Sequence, residues 1–222
     1  MSSVITTVQG SLSGISEQQI YRFMGLSGTK PAAELAAAVE EVLPQFLSMV
    51  QCRACYLTVP VEISGDVVNL GLFSVNSIHL AKNLHDCDKA VLFAATLGMA
   101  VEQHRRAAAV SSSVKALILD AMGSAGIEAY CNHLCLEIAA RYPGYKPRPR
   151  FSPGYGDLPL SVQKQLLHVL DAQRKIGIAM TEGMLMIPQK SVTAIMGLGK
   201  AGCPKEKSDC GGCDIMDCEF RL

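Results

Sequence analysis

Two stretches of this 222-residue chain combine residue types that could do chemistry. The first is Arg150-Phe151-Ser152-Pro153-Gly154-Tyr155-Gly156-Asp157-Leu158-Pro159-Leu160. An arginine fork holds a carboxylate through two parallel hydrogen bonds, and a tyrosine face lies against a cation or a heterocycle. Prolines restrict such a loop, while glycines expose its backbone to close approach by a small polar ligand. These residues suit a site for something like an amino-acid carboxylate; a rigid surface turn would have the same composition. The second stretch is Cys203-x6-Cys210-x2-Cys213-x4-Cys218, with Lys205, Lys207 and Gly211-Gly212 between the thiols. Four thiolates select zinc or an iron–sulfur cluster. Structural zinc usually takes paired C-x2-C knuckles, and one such pair is present, so the uneven spacing favours a [4Fe–4S] cluster over zinc. Free thiols or disulfides are the remaining reading.

Other signals carry less. Gly197-Leu198-Gly199-Lys200-Ala201-Gly202 is a literal G-x-G-x-x-G, but Cys203-Pro204 follows where a dinucleotide site needs a helix start. Cys52-x-x-Cys55 precedes a strand rather than a helix, so buried structural cysteines are expected, not a redox pair. Cys131 and Cys135 stand one helical turn apart and read as packing. His79, His85, His104 and His168 are isolated.

The elements that must position the first stretch follow from periodicity. Ser16-Glu17-Gln18-Gln19 has the form of a capping box opening a helix to about Gly25, and Lys30-Pro31 begins a second, ending near Met49. Cys52 to Val75 alternates as strands around a Ser64-Gly65-Asp66 turn. A helix over 77–84 precedes a buried strand over 89–97. A long helical region follows, broken near Val110–Ser113, with its main body over 114–141. Segment 142–160 is a proline- and glycine-rich loop. A helix over 161–171, strands over 176–180 and 184–187, and a strand over 191–196 complete the body. Helices and strands mix without a βαβ rhythm, which argues an α+β fold.

Composition bounds the function. Twenty basic and twenty acidic residues give zero net charge, so there is no electrostatic footprint for nucleic acid or anionic lipid. Mean hydropathy is high at +0.24, yet no run of 18 apolar residues exists to cross a membrane. No basic, apolar leader precedes the first helix. An odd set of nine cysteines, mostly in apolar segments, fits a reducing cytoplasm and not a secreted disulfide scaffold.

Several segments together resemble one family. Arg150-x-x-Pro153-Gly154-Tyr155 looks like the S-adenosylmethionine-binding motif of the activation domain of cobalamin-dependent methionine synthase. Val91-Leu92-Phe93-Ala94-Ala95-Thr96-Leu97-Gly98 is similar to its LFAxTxG strand, and Ile127-Glu128-Ala129-Tyr130 resembles its A-E-A-F segment. The run from Leu166 to Pro188 and Ser191-Val192 echo its later stretch in the same order. The resemblance covers about residues 90–195. It implies a mostly antiparallel twisted sheet packed with long helices, to which this sequence adds a cysteine-rich C-terminal tail. The expected division is an N-terminal α/β part over 1–88, a ligand-binding region over 89–200 and a metal- or cluster-binding tail over 201–222.

The resemblance also implies roles. Arg150 would hold the ligand's carboxylate, Glu128 its ammonium group, and Ser152, Gly154 and Tyr155 would give backbone and ring contacts. The Pro-Gly-Tyr at Pro143-Gly144-Tyr145 has its arginine, Arg141, at the wrong distance. Asp157-Leu158-Pro159-Leu160 stands where the family has a Pro-Asp/Glu-His element. Its N-terminal acidic residue has no clear counterpart, and the cysteine tail replaces its C-terminal tyrosine. With no cobalamin, folate or homocysteine module, the chain looks like a free-standing activation subunit. Such a protein presents S-adenosylmethionine to cobalamin on a corrinoid-binding methyltransferase partner and supports its reductive methylation in methionine synthesis, with flavodoxin or ferredoxin as reductant. No side chain need act as acid or base, because the protein positions donor and acceptor. The rivals are an iron–sulfur electron-transfer activator of another corrinoid methyltransferase and a non-enzymatic S-adenosylmethionine-sensing module.

Overall fold

The computed structural model describes residues 4–28 and 30–200. The elements that frame the site are β1 (Thr6–Gly10), α1 (Glu17–Phe23), α2 (Ala33–Met49), β2 (Cys52–Pro60), β3 (Glu62–Ser64), β4 (Val67–Asn69), β5 (Ser74–Asn76), α3 (Ile78–Asn83) and β6 (Cys87–Thr96). They continue with α4 (Met99–Ser111), α5 (Ser113–Ala140), β7 (Tyr145–Pro147), α6 (Val162–Val169), α7 (Ala172–Ile176), β8 (Ala179–Met180), β9 (Met186–Ile187) and β10 (Ser191–Lys200).

Five strands form one antiparallel sheet in the order β1-β2-β6-β10-β7. Strands from both sides of residue 88 therefore share hydrogen bonds, as in Tyr56 opposite Phe93. Successive side chains leave opposite faces of a strand, and here both faces are covered. Cys52, Ala54 and Tyr56 of β2, Val91, Phe93 and Ala95 of β6, and Ala194 and Met196 of β10 join Ile20, Phe46, Ile118, Met122 and Leu134 in one core. The alternate residues Cys55, Leu57, Val59, Ala90, Leu92, Ala94 and Ile195 pack with Leu80, Leu84, Leu166 and Ile176 in a second. Double coverage explains why β6 reads as a continuous apolar run and not an alternation. The expected mixed, mostly antiparallel architecture is the one observed. No helix among the described residues is long and apolar enough to cross a membrane.

Helix α5 spans 28 residues, about 42 Å at the usual rise. It is separated from α4 at Ser112, whose extended backbone breaks the helix and whose Oγ accepts from Lys115 N at 3.2 Å. Small residues let it lie close to its neighbours: a Cβ on Gly126 would meet Leu12, Leu97 and Phe46 at 3.1–3.3 Å.

Local expectations need correction in several places. Ser16 makes no side-chain cap; its carbonyl instead accepts from Gln19 and Ile20 N. Helix α2 starts at Ala33, two residues past Pro31, and continues through Pro44. The alternating segment after Cys52 divides into the long β2 and a separate three-stranded sheet, β3-β4-β5, with the Ser64-Gly65-Asp66 turn inside the latter. Residue 176, expected in a strand, closes α7, and Gly177 ends that helix at φ +77°. Strands β1 and β7 were not anticipated. Strand β10 runs on to Lys200 through Gly197 and Gly199, so the G-x-G stretch is sheet and not a phosphate loop. Gly197 is glycine because a Cβ there would stand 2.7 Å from Leu84 and 2.8 Å from Cys87 Sγ.

Candidate functional site

The candidate loop leaves the sheet beside β10. Phe151 N and O exchange hydrogen bonds with Ile195 O and N, both at 2.8 Å, which sets the preceding residue, Arg150, over α5. Its guanidinium donates to Glu128 Oε2 and to Asn132 Oδ1. Glu128, Cys131, Asn132 and Cys135 recur at helical spacing, so one face of α5 surrounds the arginine with two oxygens and two thiols. The Arg150 side chain is 19% exposed and Glu128 40%. Burial alone would lower the arginine's pKa, but the charge and hydrogen bond of the Glu128 carboxylate oppose it, and the pKa stays above the ordinary value. Burial pushes Cys131 up, despite the nearby Arg150 charge, and Cys135 likewise. Both are therefore thiols, donors and soft packing surface, not thiolates.

The same face of α5 continues toward its N-terminus. Lys190 Nζ donates to Ser124 Oγ at 2.9 Å and pairs with Asp120 Oδ1 at 3.0 Å, its methylenes lying against Gly123. Asp120, Ser124, Glu128 and Asn132 thus form a polar ladder, four residues apart, on a helix whose other residues from Ile118 to Cys131 are buried.

Beyond Phe151 the chain makes two tight turns. Tyr155 N donates to Ser152 O at 3.2 Å, Leu158 N to Tyr155 O at 3.0 Å, and Gly154 N to Leu158 O at 2.9 Å. Gly154 (φ +91°) and Gly156 (φ +53°) occupy the left-handed region, where a Cβ is strained. The result places Tyr155 at the apex with 68% of its surface exposed, while Leu158 is buried in the second core. Asp157 accepts from Ser77 Oγ at 2.5 Å, Ile78 N at 2.7 Å and His79 N at 3.2 Å, and its carboxylate lies 3.6 Å from His79 Nδ1.

Of the residues singled out in the sequence, Arg150 and Glu128 meet directly, and Ser152, Gly154 and Tyr155 lie on the loop that Arg150 opens. Asn132, Cys131 and Cys135 were missed as neighbours of Arg150, though counting turns from Glu128 along α5 would have found them. His79 is not isolated, and no local pattern links it to Asp157. The second Pro-Gly-Tyr is structural: Arg141 Nη1 donates to Tyr56 Oη at 2.8 Å, and Tyr145 lies in β7. Cys52 and Cys55 are buried, and burial pushes their thiols up to about 11 and about 12. Among the described residues no group of three His, Cys, Asp or Glu side chains could hold a metal. The metal expectation for Cys203, Cys210, Cys213 and Cys218 falls outside the described residues.

Residues 78–201 match the family model for the vitamin B12 dependent methionine synthase activation domain. The chain belongs to that activation-domain family. The match begins at the start of α3 and takes in Glu128, the whole Arg150–Leu160 loop and β10. The activation-domain fold extends further. The crystal structure of the MetH reactivation domain bound to AdoHcy superposes with a TM-score of 0.67 over 87% of this chain and 78% of that one, at 15% identity. No curated protein matches the chain.

Proposed function

We propose that this activation-domain protein binds S-adenosylmethionine in the Arg150 loop and presents it to a corrinoid held by a partner methyltransferase protein, supporting reductive methylation of that corrinoid in methionine synthesis. The observation that carries the reading is the Arg150–Glu128 ion pair, set at the loop of a chain that belongs to this family. The ligand's α-carboxylate would take the guanidinium fork and its α-ammonium the Glu128 carboxylate. One internal pair then becomes two intermolecular ones without leaving either charge unpaired. The AdoHcy-bound fold neighbour supports a ligand with this amino-acid end. Backbone groups of Ser152 and Gly154 and the exposed Tyr155 ring would meet the rest. Bound S-adenosylmethionine supplies the methyl group; this chain's own residues bind, orient and present it. The four tail cysteines add the proposal of a thiolate-bound centre, a [4Fe–4S] cluster or zinc, taking electrons from flavodoxin or ferredoxin; iron, sulfide and zinc analysis distinguishes these.

Calorimetric titration with S-adenosylhomocysteine tests the site. The wild type is expected to bind saturably at one site. Arg150→Ala removes the carboxylate's partner and strands Glu128, at a cost of about 3 kcal/mol or about a hundredfold in affinity. An Arg150→Ala variant that binds like the wild type would overturn the assignment.

A further inference from the structure

The ligand loop is held at its Arg150 end by β10 and α5, but the turn that displays Tyr155 is fixed elsewhere. We infer that Asp157 is the positioning residue of this loop: its carboxylate ties residues 154–158 to the start of α3 and so sets the backbone that the ligand meets. The inference rests on the ligand site proposed above.

Between Phe151 and Asp157 the backbone hydrogen bonds Tyr155 N to Ser152 O and Gly154 N to Leu158 O are local ones that close the turns. Two of the residues are glycines at positive φ, the type that loses most conformational freedom on ordering. Left to itself such a segment would sample many conformations, and a ligand would have to order it on binding. Asp157 prevents this by reaching another element. Two backbone N–H groups of α3 and the Ser77 hydroxyl converge on its two oxygens. Ser77 is the junction, since the same Oγ that donates to Asp157 accepts from Leu80 N at 3.0 Å. Burial opposes ionisation of Asp157, but the hydrogen bonds from Ser77, His79 and Ile78 outweigh it and hold the carboxyl below its ordinary value. Gly156 closes the junction sterically, for a Cβ there would overlap the His79 ring. Next to it Leu158 enters the second core. Asp157 touches no atom of the proposed ligand contacts at Arg150 or Glu128, so it acts through the loop.

The test compares wild type, Asp157→Ala, Asp157→Asn and Ser77→Ala by amide hydrogen exchange of the ligand-free proteins and by titration with S-adenosylhomocysteine. Asp157→Ala is expected to strip protection from the Gly154 and Leu158 amides and to weaken binding about tenfold through lost preorganisation. Asp157→Asn keeps an accepting oxygen for the α3 amides and is expected to recover most of both, with Ser77→Ala between the two. Exchange elsewhere, including β6 and β10, is expected to stay at wild-type levels, which separates positioning from general destabilisation. An Asp157→Ala protein that keeps both the protection and the affinity would overturn the inference while leaving the Arg150 site intact. A wild type that binds no S-adenosylhomocysteine would overturn the site reading and this inference with it.

Discussion

The chain uses the tripeptide Pro-Gly-Tyr twice, ten residues apart, for opposite ends. In Pro143-Gly144-Tyr145 the phenol donates to Asp88 Oδ2 at 3.0 Å and accepts from Lys89 Nζ at 3.1 Å. Its ring lies 4.7 Å beneath that ammonium and meets Tyr142 edge-on at 6.5 Å. In Pro153-Gly154-Tyr155 the ring is displayed to solvent. Both glycines take positive φ, so the turns are locally alike. What differs is the ground each stands on. Tyr145 belongs to an edge strand paired with β10, whereas Tyr155 caps a loop whose charged residues, Arg150 and Asp157, pull in opposite directions toward α5 and α3. The same tripeptide thus has its tyrosine locked at an edge strand by Asp88 and Lys89 in one place and displayed on a loop in the other.

Substitution of each tyrosine breaks the comparison most sharply. Tyr145→Ala is expected to cost about 2 kcal/mol, or about 5 °C in Tm, by removing two charge-assisted hydrogen bonds and the ring contacts, with ligand affinity unchanged. Tyr155→Ala is expected to leave Tm within about 1 °C and to weaken S-adenosylhomocysteine binding about tenfold. Thermal scans and titrations of both variants check this, and interchanged outcomes would erase the distinction.

A smaller effect is expected at Gly156. Gly156→Ala strains a left-handed residue and drives a methyl into His79, at a cost of about 1–2 kcal/mol. Adding His79→Ala removes the overlap but not the backbone strain, so the double variant is expected to recover about half the loss in Tm. Full recovery would mean that the φ angle carries no cost.

The smallest effect is the pH dependence of the Asp157 anchor. A carboxyl whose folded pKa lies below its ordinary 3.8 adds stability above pH 3.8, and that stability is lost as the pH falls through the folded value. The Tm gap between wild type and Asp157→Asn is therefore expected to narrow between about pH 5 and about pH 3, with His79 the ionisable neighbour in both chains. A gap that widens on acidification would contradict the depressed pKa.

Legibility in the sequence followed locality. The break at Ser112 was readable because three consecutive serines interrupt a long helical region, and β6 because it is a bare apolar stretch bounded by a charged turn and Gly98. Strand β1 was not, since Thr-Thr-Val-Gln-Gly at a sheet edge offers no apolar alternation to see. The α7 segment misled because β-branched Ile176 and Ile178 flank a glycine that proved to be a helix cap. At the site, Arg150 and Tyr155 came from a compact motif, and Glu128 from the resemblance of Ile127-Glu128-Ala129-Tyr130 to a family segment. The Asp157 junction joins residues 80 and 79 positions apart in the chain, and a contact made by folding leaves no spacing to read.

The place of β6 in the sheet bears on how the chain is made. Its two neighbours come from opposite ends of the sequence: Val91 pairs with Thr58 on one side and with Met196 on the other. As the polypeptide leaves the ribosome, β2 is available at once, but the second edge of β6 has no partner until β10 emerges about 100 residues later. Through that interval an apolar strand with bare N–H and C=O groups is a template for pairing with other chains. The α4–α5 hairpin, whose contacts are local, can form meanwhile and shield one face of that strand. The edge itself stays open until β10 arrives, so nascent chains stopped within α5 are the ones most exposed to aggregation.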